Sequence, residues 1–226
     1  SELGRFVAGG EGAVLTNGRV EITDSALVHG DVKTTAPDDV VIGSSAIVSG
    51  RVVELERNVP LLAMAAESVA GKERLRVDQR ERVTVTGDQT VDRIDIQTGA
   101  QLVVVGPATV LVNRLDIGRG GSLLADTTAG PVDVVCMNSM QLREFAWIAA
   151  GDANPAGVRL RYAGSSMRLR SFAALAADVV APNAEVVVDP LGQLYGRVGA
   201  RRLTLNGAAA AHLDDRGFAV RTVVDH

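Results

Sequence analysis

Four arginines fall within twelve residues, Arg159, Arg161, Arg168 and Arg170, in the segments Val158-Arg159-Leu160-Arg161-Tyr162 and Ser166-Met167-Arg168-Leu169-Arg170. Both segments alternate apolar residues with arginine. Strand alternation therefore predicts Arg159 and Arg161 on one face, with Arg168 and Arg170 beside them if the two strands are neighbours. A guanidinium fork suits phosphate, sulfate or carboxylate, and Tyr162 beside it could stack on a base or a sugar. The chain as a whole carries a net charge of −4, so any attraction for an anionic polymer, DNA or acidic glycan, must come from such a local patch. The competing reading is an exposed strand face balanced by nearby Asp and Glu.

A second set of reactive groups is weighed by its spacing. Asp95 and Asp116 occupy equivalent places in Arg93-Ile94-Asp95-Ile96 and Arg114-Leu115-Asp116-Ile117. Stacked one coil apart, at about 4.8 Å, two carboxylates can share a cation or act as acid and base. Arg93 and Arg114 lie on the same predicted face, which favours a compensating charge ladder. The histidines His29, His212 and His226 lack the spacing of a metal site, and no metal or cofactor is expected. His212, near Asp214 and Asp215, reads as a structural hydrogen bond in the last coil. Cys136, in Val134-Val135-Cys136-Met137, reads as a buried thiol, and Gly118-Arg119-Gly120-Gly121 is followed by neither the helix nor the Lys-Ser/Thr of a phosphate loop. The expectation is a protein without catalysis.

The elements that must position these groups show a repeat. Arg93 to Leu102 recurs as Arg114 to Leu123, and Ser25-Ala26-Leu27-Val28-His29-Gly30-Asp31-Val32 recurs as Ser45-Ala46-Ile47-Val48-Ser49-Gly50-Arg51-Val52. A period of 20 or 21 residues with β-branched strands of three to five residues is the signature of a solenoid. Apolar residues make up 46% of the chain and aromatics only 3%, so aliphatic side chains must fill the interior. The prediction is an all-β, right-handed parallel β-helix forming one domain over residues 1–226. Ile94, Ile96, Leu115 and Ile117 point inward. Asn58, Pro60 and Gly71 punctuate one short lateral helix within 58–72. No apolar run reaches the length of a membrane span, and no membrane contact by this domain is expected.

The segments Ala181-Pro182-Asn183-Ala184, Gly192-Gln193-Leu194-Tyr195-Gly196, Leu203-Thr204-Leu205-Asn206-Gly207 and His212-Leu213-Asp214 follow one another in an order that resembles the C-terminal β-helical domain of bacterial pilus-assembly and minor-pilin-like surface proteins. Leu213 stands where those domains usually carry an aromatic residue. The resemblance implies a structural, adhesive module of an exported cell-surface protein, with other pilus or surface-assembly subunits as partners and an anchor or leader before Ser1. A bactofilin-like polymer-forming scaffold and a polysaccharide-active β-helix enzyme are the alternative readings.

Overall fold

The computed structural model describes residues 13–16, 18–56, 73–152 and 154–213. They form a β-solenoid in which every strand pairing is parallel, built on a 13-stranded and a 9-stranded sheet. The expected lateral helix at 58–72 lies outside the described residues.

Each complete coil contributes a long strand, or two short ones, to the larger sheet and one strand to the smaller. Ala108–Ile117, Val132–Leu142 and Asp178–Val188 are such long strands. Their inward parity changes part-way: Val110 and Val112 are buried, then Leu115 and Ile117. The change falls at a register shift between Val112 and Arg114, repeated between Ala181 and Glu185, where a bulge turns the strand round a corner of the coil. Residues before and after the corner therefore belong to different flanks.

The two repeats place their copies in exact stacked register: Arg93 pairs with Arg114, Asp95 with Asp116 and Leu27 with Ile47. One interior column runs Ile94, Leu115, Met140, Met167, Val186, Leu203 and Val20, and a second runs Ile96, Ile117, Leu142, Leu169, Val188, Leu205 and Ile22. All are buried, and each contributes roughly 1.5–3 kcal/mol by leaving water. The glycine kept in the N-terminal repeat also has a steric cause, since a Cβ on Gly50 would lie 2.3 Å from the Gly30 carbonyl oxygen.

Coil order departs from chain order. In the smaller sheet the strands run along the axis as Ile47–Val48, Leu27–His29, Ala210–Leu213, Gln193–Gly196, Ala174–Ala176, Trp147–Ala150, Ser122–Asp126, Gln101–Val105 and Arg82–Thr86. The N-terminal coils thus stack on the C-terminal end of the body, at a seam where Val20 pairs with Leu203 and Leu27 with Ala210. Val52–Glu54 and Arg74–Val77, successive strands among the described residues, lie at opposite ends of the larger sheet. The segment read as a final coil, with His212, is internal to the stack.

Candidate functional site

The arginine cluster separates on folding. Val158–Tyr162 and Ser166–Leu169 both pair with Val132–Leu142, but on opposite sides of the corner. Arg159 and Arg161 lie on one flank, and each reaches Asp133, at 3.8 and 4.0 Å. Arg168 lies on the next flank and forks onto Asp189 through three hydrogen bonds of 2.8–3.1 Å, which hold its guanidinium above the ordinary arginine value. Arg170 leaves the strand and opens the following turn. Tyr162 is 1% exposed, and its hydroxyl donates toward Ser166 O at 2.7 Å, with Asn138 O at 3.2 Å. It cannot stack on a ligand. Its alternation with arginine gave it the inward parity; Gly164 leaves room for its hydroxyl at the corner, where a Cβ would meet that oxygen at 2.3 Å.

The carboxylate pair is a ladder. Arg93 Nε donates to Asp95 Oδ1 at 2.7 Å and its Nη2 to Asp116 Oδ2 at 2.7 Å, while Arg74 Nε donates to Asp95 Oδ2 at 2.6 Å. The hydrogen bond to Asp95 raises the affinity of the Arg93 guanidinium for its proton, against the opposing effect of burial. Asp95 points away from the interior yet is only 5% exposed, because the two arginines close over it. Asp178 is likewise held by Arg197.

The other reactive groups are also engaged. The Cys136 thiol is buried, donates toward Ser139 O at 3.2 Å, and has its pKa pushed up to about 12 by burial. His212 lies at the seam, its ring between Tyr195 and His29 at centroid distances of 4.7 and 5.0 Å, with Nε2 3.0 Å from Gln193 Oε1. Burial, and secondarily the charge of His29, lower its pKa. Among the described residues no group of three or more His, Cys, Asp or Glu converges as a metal site.

Open surface lies along the larger sheet and the row of turns that links it to the smaller sheet. The middle of the smaller sheet offers little, since its outward-pointing Ala149 and Ala176 are buried, whereas Arg82, Thr84 and Thr86 at one end are exposed. Two depressions border the turn row, one of about 490 Å³ lined by Gln141, Arg143, Ser166, Arg168 and Arg170 among others, and one of about 380 Å³ that includes Thr98, Arg119 and Arg143. They share Arg143 and Glu144. Sequence reading placed Arg170 among the binding residues but passed over Arg119 and Arg143, which sit in turns and carry no strand alternation. Their spacings of 24 and 27 residues, from Arg119 to Arg143 to Arg170, depart from the 20- or 21-residue period, so the sequence carried no clear signal of them.

No family profile and no curated protein matches the chain. Among solved structures it is similar to an ice-binding protein from the Antarctic ascomycete Antarctomyces psychrotrophicus, with a TM-score of 0.54 and 13% identity over 93% of this chain and 96% of that one. At that identity the likeness is one of fold.

Proposed function

We propose that the chain is a non-catalytic, adhesive β-helix module of an exported, pilus-associated cell-surface protein. The observation that supports this most directly is the pairing of its carboxylates: Asp95, Asp116, Asp178 and Asp189 are each held by guanidinium groups along the stack. Such ladders stiffen a flank and leave the acids occupied. Stacked coils then make a rod roughly 40 Å long, taking nine strands at about 4.8 Å spacing. The segments that carry the resemblance to pilus-assembly domains lie at the seam, where Tyr195 and His212 stack with His29 and Gln193 bonds His212.

The test is to shear surface fibres from the cells that make the protein and probe the fibre fraction with an antibody to the chain. Recovery with the fibres, and cleavage by protease added to intact cells, are the expected results. Retention inside the cell, with filaments formed by the purified chain, would replace this reading with the polymer-forming scaffold. The regular parallel stacking of the strands favours one further reading, the ice binding named for the structural neighbour. Ice-crystal shaping by the purified chain would establish it.

A further inference from the structure

The turns between the larger and smaller sheets repeat one geometry, and four of six hold a residue other than glycine at its left-handed position: the polar Arg80 and three exposed apolar side chains. In six successive coils a hydrogen bond closes the turn: Glu81 N to Asp78 O, Ala100 N to Gln97 O, Gly121 N to Gly118 O, Ala146 N to Arg143 O, Ala173 N to Arg170 O and Gly192 N to Asp189 O, all 2.8–3.0 Å. The third residue of each is left-handed, with φ between 60 and 66°. Glycine suits that position, and Gly99 and Gly120 occupy it in two coils. In the next three coils it holds Phe145, Phe172 and Leu191, bulky side chains that L-residue sterics disfavour there. They are also 47%, 48% and 43% exposed. The other large exposed apolar residues among those described, Val41, Ile42, Ile47 and Val52, all belong to the terminal strands. Strain combined with exposed apolar surface is not explained by packing, and such outliers gather at functional sites.

The ridge is held rigidly. Phe145 and Phe172 stack at 4.8 Å with planes 8° apart, Arg119 lies over Phe145 at 5.6 Å, and the turn peptides bond along the axis through Gly120 N to Glu144 O and Phe145 N to Ser171 O. Arg143 and Arg170 flank it, and neither takes part in a salt bridge among the described residues. The same turns give Arg143, Glu144 and Arg170 to the lining of the 490 Å³ depression, where Gln141, Ser166 and Arg168 add donors and Glu144 is the one acid.

From this arrangement we infer that the turn ridge Phe145–Phe172–Leu191, with Arg119, Arg143 and Arg170, is a binding site for an acidic polysaccharide. The rings face each other and so cannot admit a nucleic-acid base between them, which disfavours a stacked single strand. Their exposed edges offer apolar contact to the C–H groups of a sugar, and Ser166 and Gln141 suit its hydroxyls. One arginine per coil suits a chain with one carboxylate per sugar. This names a ligand for the adhesive module proposed above and rests on that reading.

The experiment titrates polygalacturonate, uncharged dextran and an oligo-dT strand against the whole chain, the Phe145→Gly/Phe172→Gly variant and the Arg143→Ser/Arg170→Ser variant. Glycine is the residue of the neighbouring turns, so the first variant is expected to melt at the same temperature or higher while binding polygalacturonate at least tenfold more weakly. The arginine variant is expected to lower the salt slope of binding by about two, near one per contact removed. Dextran is expected not to bind. Absence of polygalacturonate binding by the wild type at low salt, or equal affinity in all three proteins, overturns the site. Tighter oligo-dT binding with the same dependence on both variants overturns the polysaccharide assignment. Cleavage of the polygalacturonate would leave the site standing and defeat the non-catalytic reading instead.

Discussion

The body of the solenoid and its seam are packed by the same aliphatic columns, yet the chain closes them over very different distances. In the body, Arg74 bonds Asp95 across 21 residues, whereas at the seam Thr23 bonds Leu205 across 182. Loop-closure entropy grows with the logarithm of length, about 0.6 kcal/mol per doubling, so the seam carries roughly 2 kcal/mol more of it. Each body coil can add to its predecessor as it forms. The N-terminal coils need a formed C-terminal surface to stack upon, and they are the expected low-stability unit of an otherwise one-dimensional stack.

The strongest way to break this comparison is to place a charge in each region. Ile117→Asp buries an unpaired carboxylate mid-body and is expected to cost about 3–5 kcal/mol, with hydrogen exchange accelerated throughout. Val20→Asp, equally buried but at the seam, is expected to expose residues 13–56 to exchange while 94–175 stays protected. Uniform exchange in both variants would show that the seam is no weaker than the body.

A smaller effect separates the two acids of the ladder. Asp95→Asn removes the charge that two guanidinium groups share in a nearly closed site, and about 1.5–3 kcal/mol of stability is expected to go with it. Asp116→Asn weakens one partly exposed contact and is expected to cost under about 1 kcal/mol by urea denaturation. Equal losses would mean that closure over Asp95 has no energetic consequence.

Tyr162→Phe is expected to cost about 1 kcal/mol, the net value of a buried hydroxyl's hydrogen bonding, and to leave polygalacturonate affinity unchanged. A loss of affinity without a loss of stability would return Tyr162 to the ligand site.

The smallest effect is pH-dependent and local to the seam. The folded pKa of His212 lies below its unfolded value, so between the two the unfolded chain binds the extra proton. Its contribution is therefore fully present above the ordinary histidine pKa of about 6.5 and is lost as pH falls through the lower folded value. Melting curves of wild type and His212→Gln should converge as the pH drops below 6. Parallel curves across that range would remove His212 as a pH-sensitive element.

How much of this was legible depends on the range over which each feature is encoded. Inward and outward parity is local, so Ile94, Ile96, Leu115 and Ile117 and the paired aspartates could be placed from alternation alone. Alternation failed at corners, because a bulge resets the parity without a sequence mark; that is why Arg159 and Arg161 parted from Arg168 and Arg170. The tyrosine was visible as an alternating residue, but only the corner at Gly164 shows where its hydroxyl goes. The ridge went unread because Phe145, Phe172 and Leu191 share nothing until stacking sets their turns in register.

By itself, then, the sequence determined the coil: its 20- or 21-residue period, its aliphatic interior and its arginine–aspartate faces all follow from side-chain alternation and turn residues. Tertiary structure alone decided the order of the coils, the burial of Asp95, the stack of Tyr195, His212 and His29, and the line of exposed rings. The physical reason is that a parallel coil's unpaired edges accept any coil of matching shape, so which edges meet is fixed by stacking across the whole molecule.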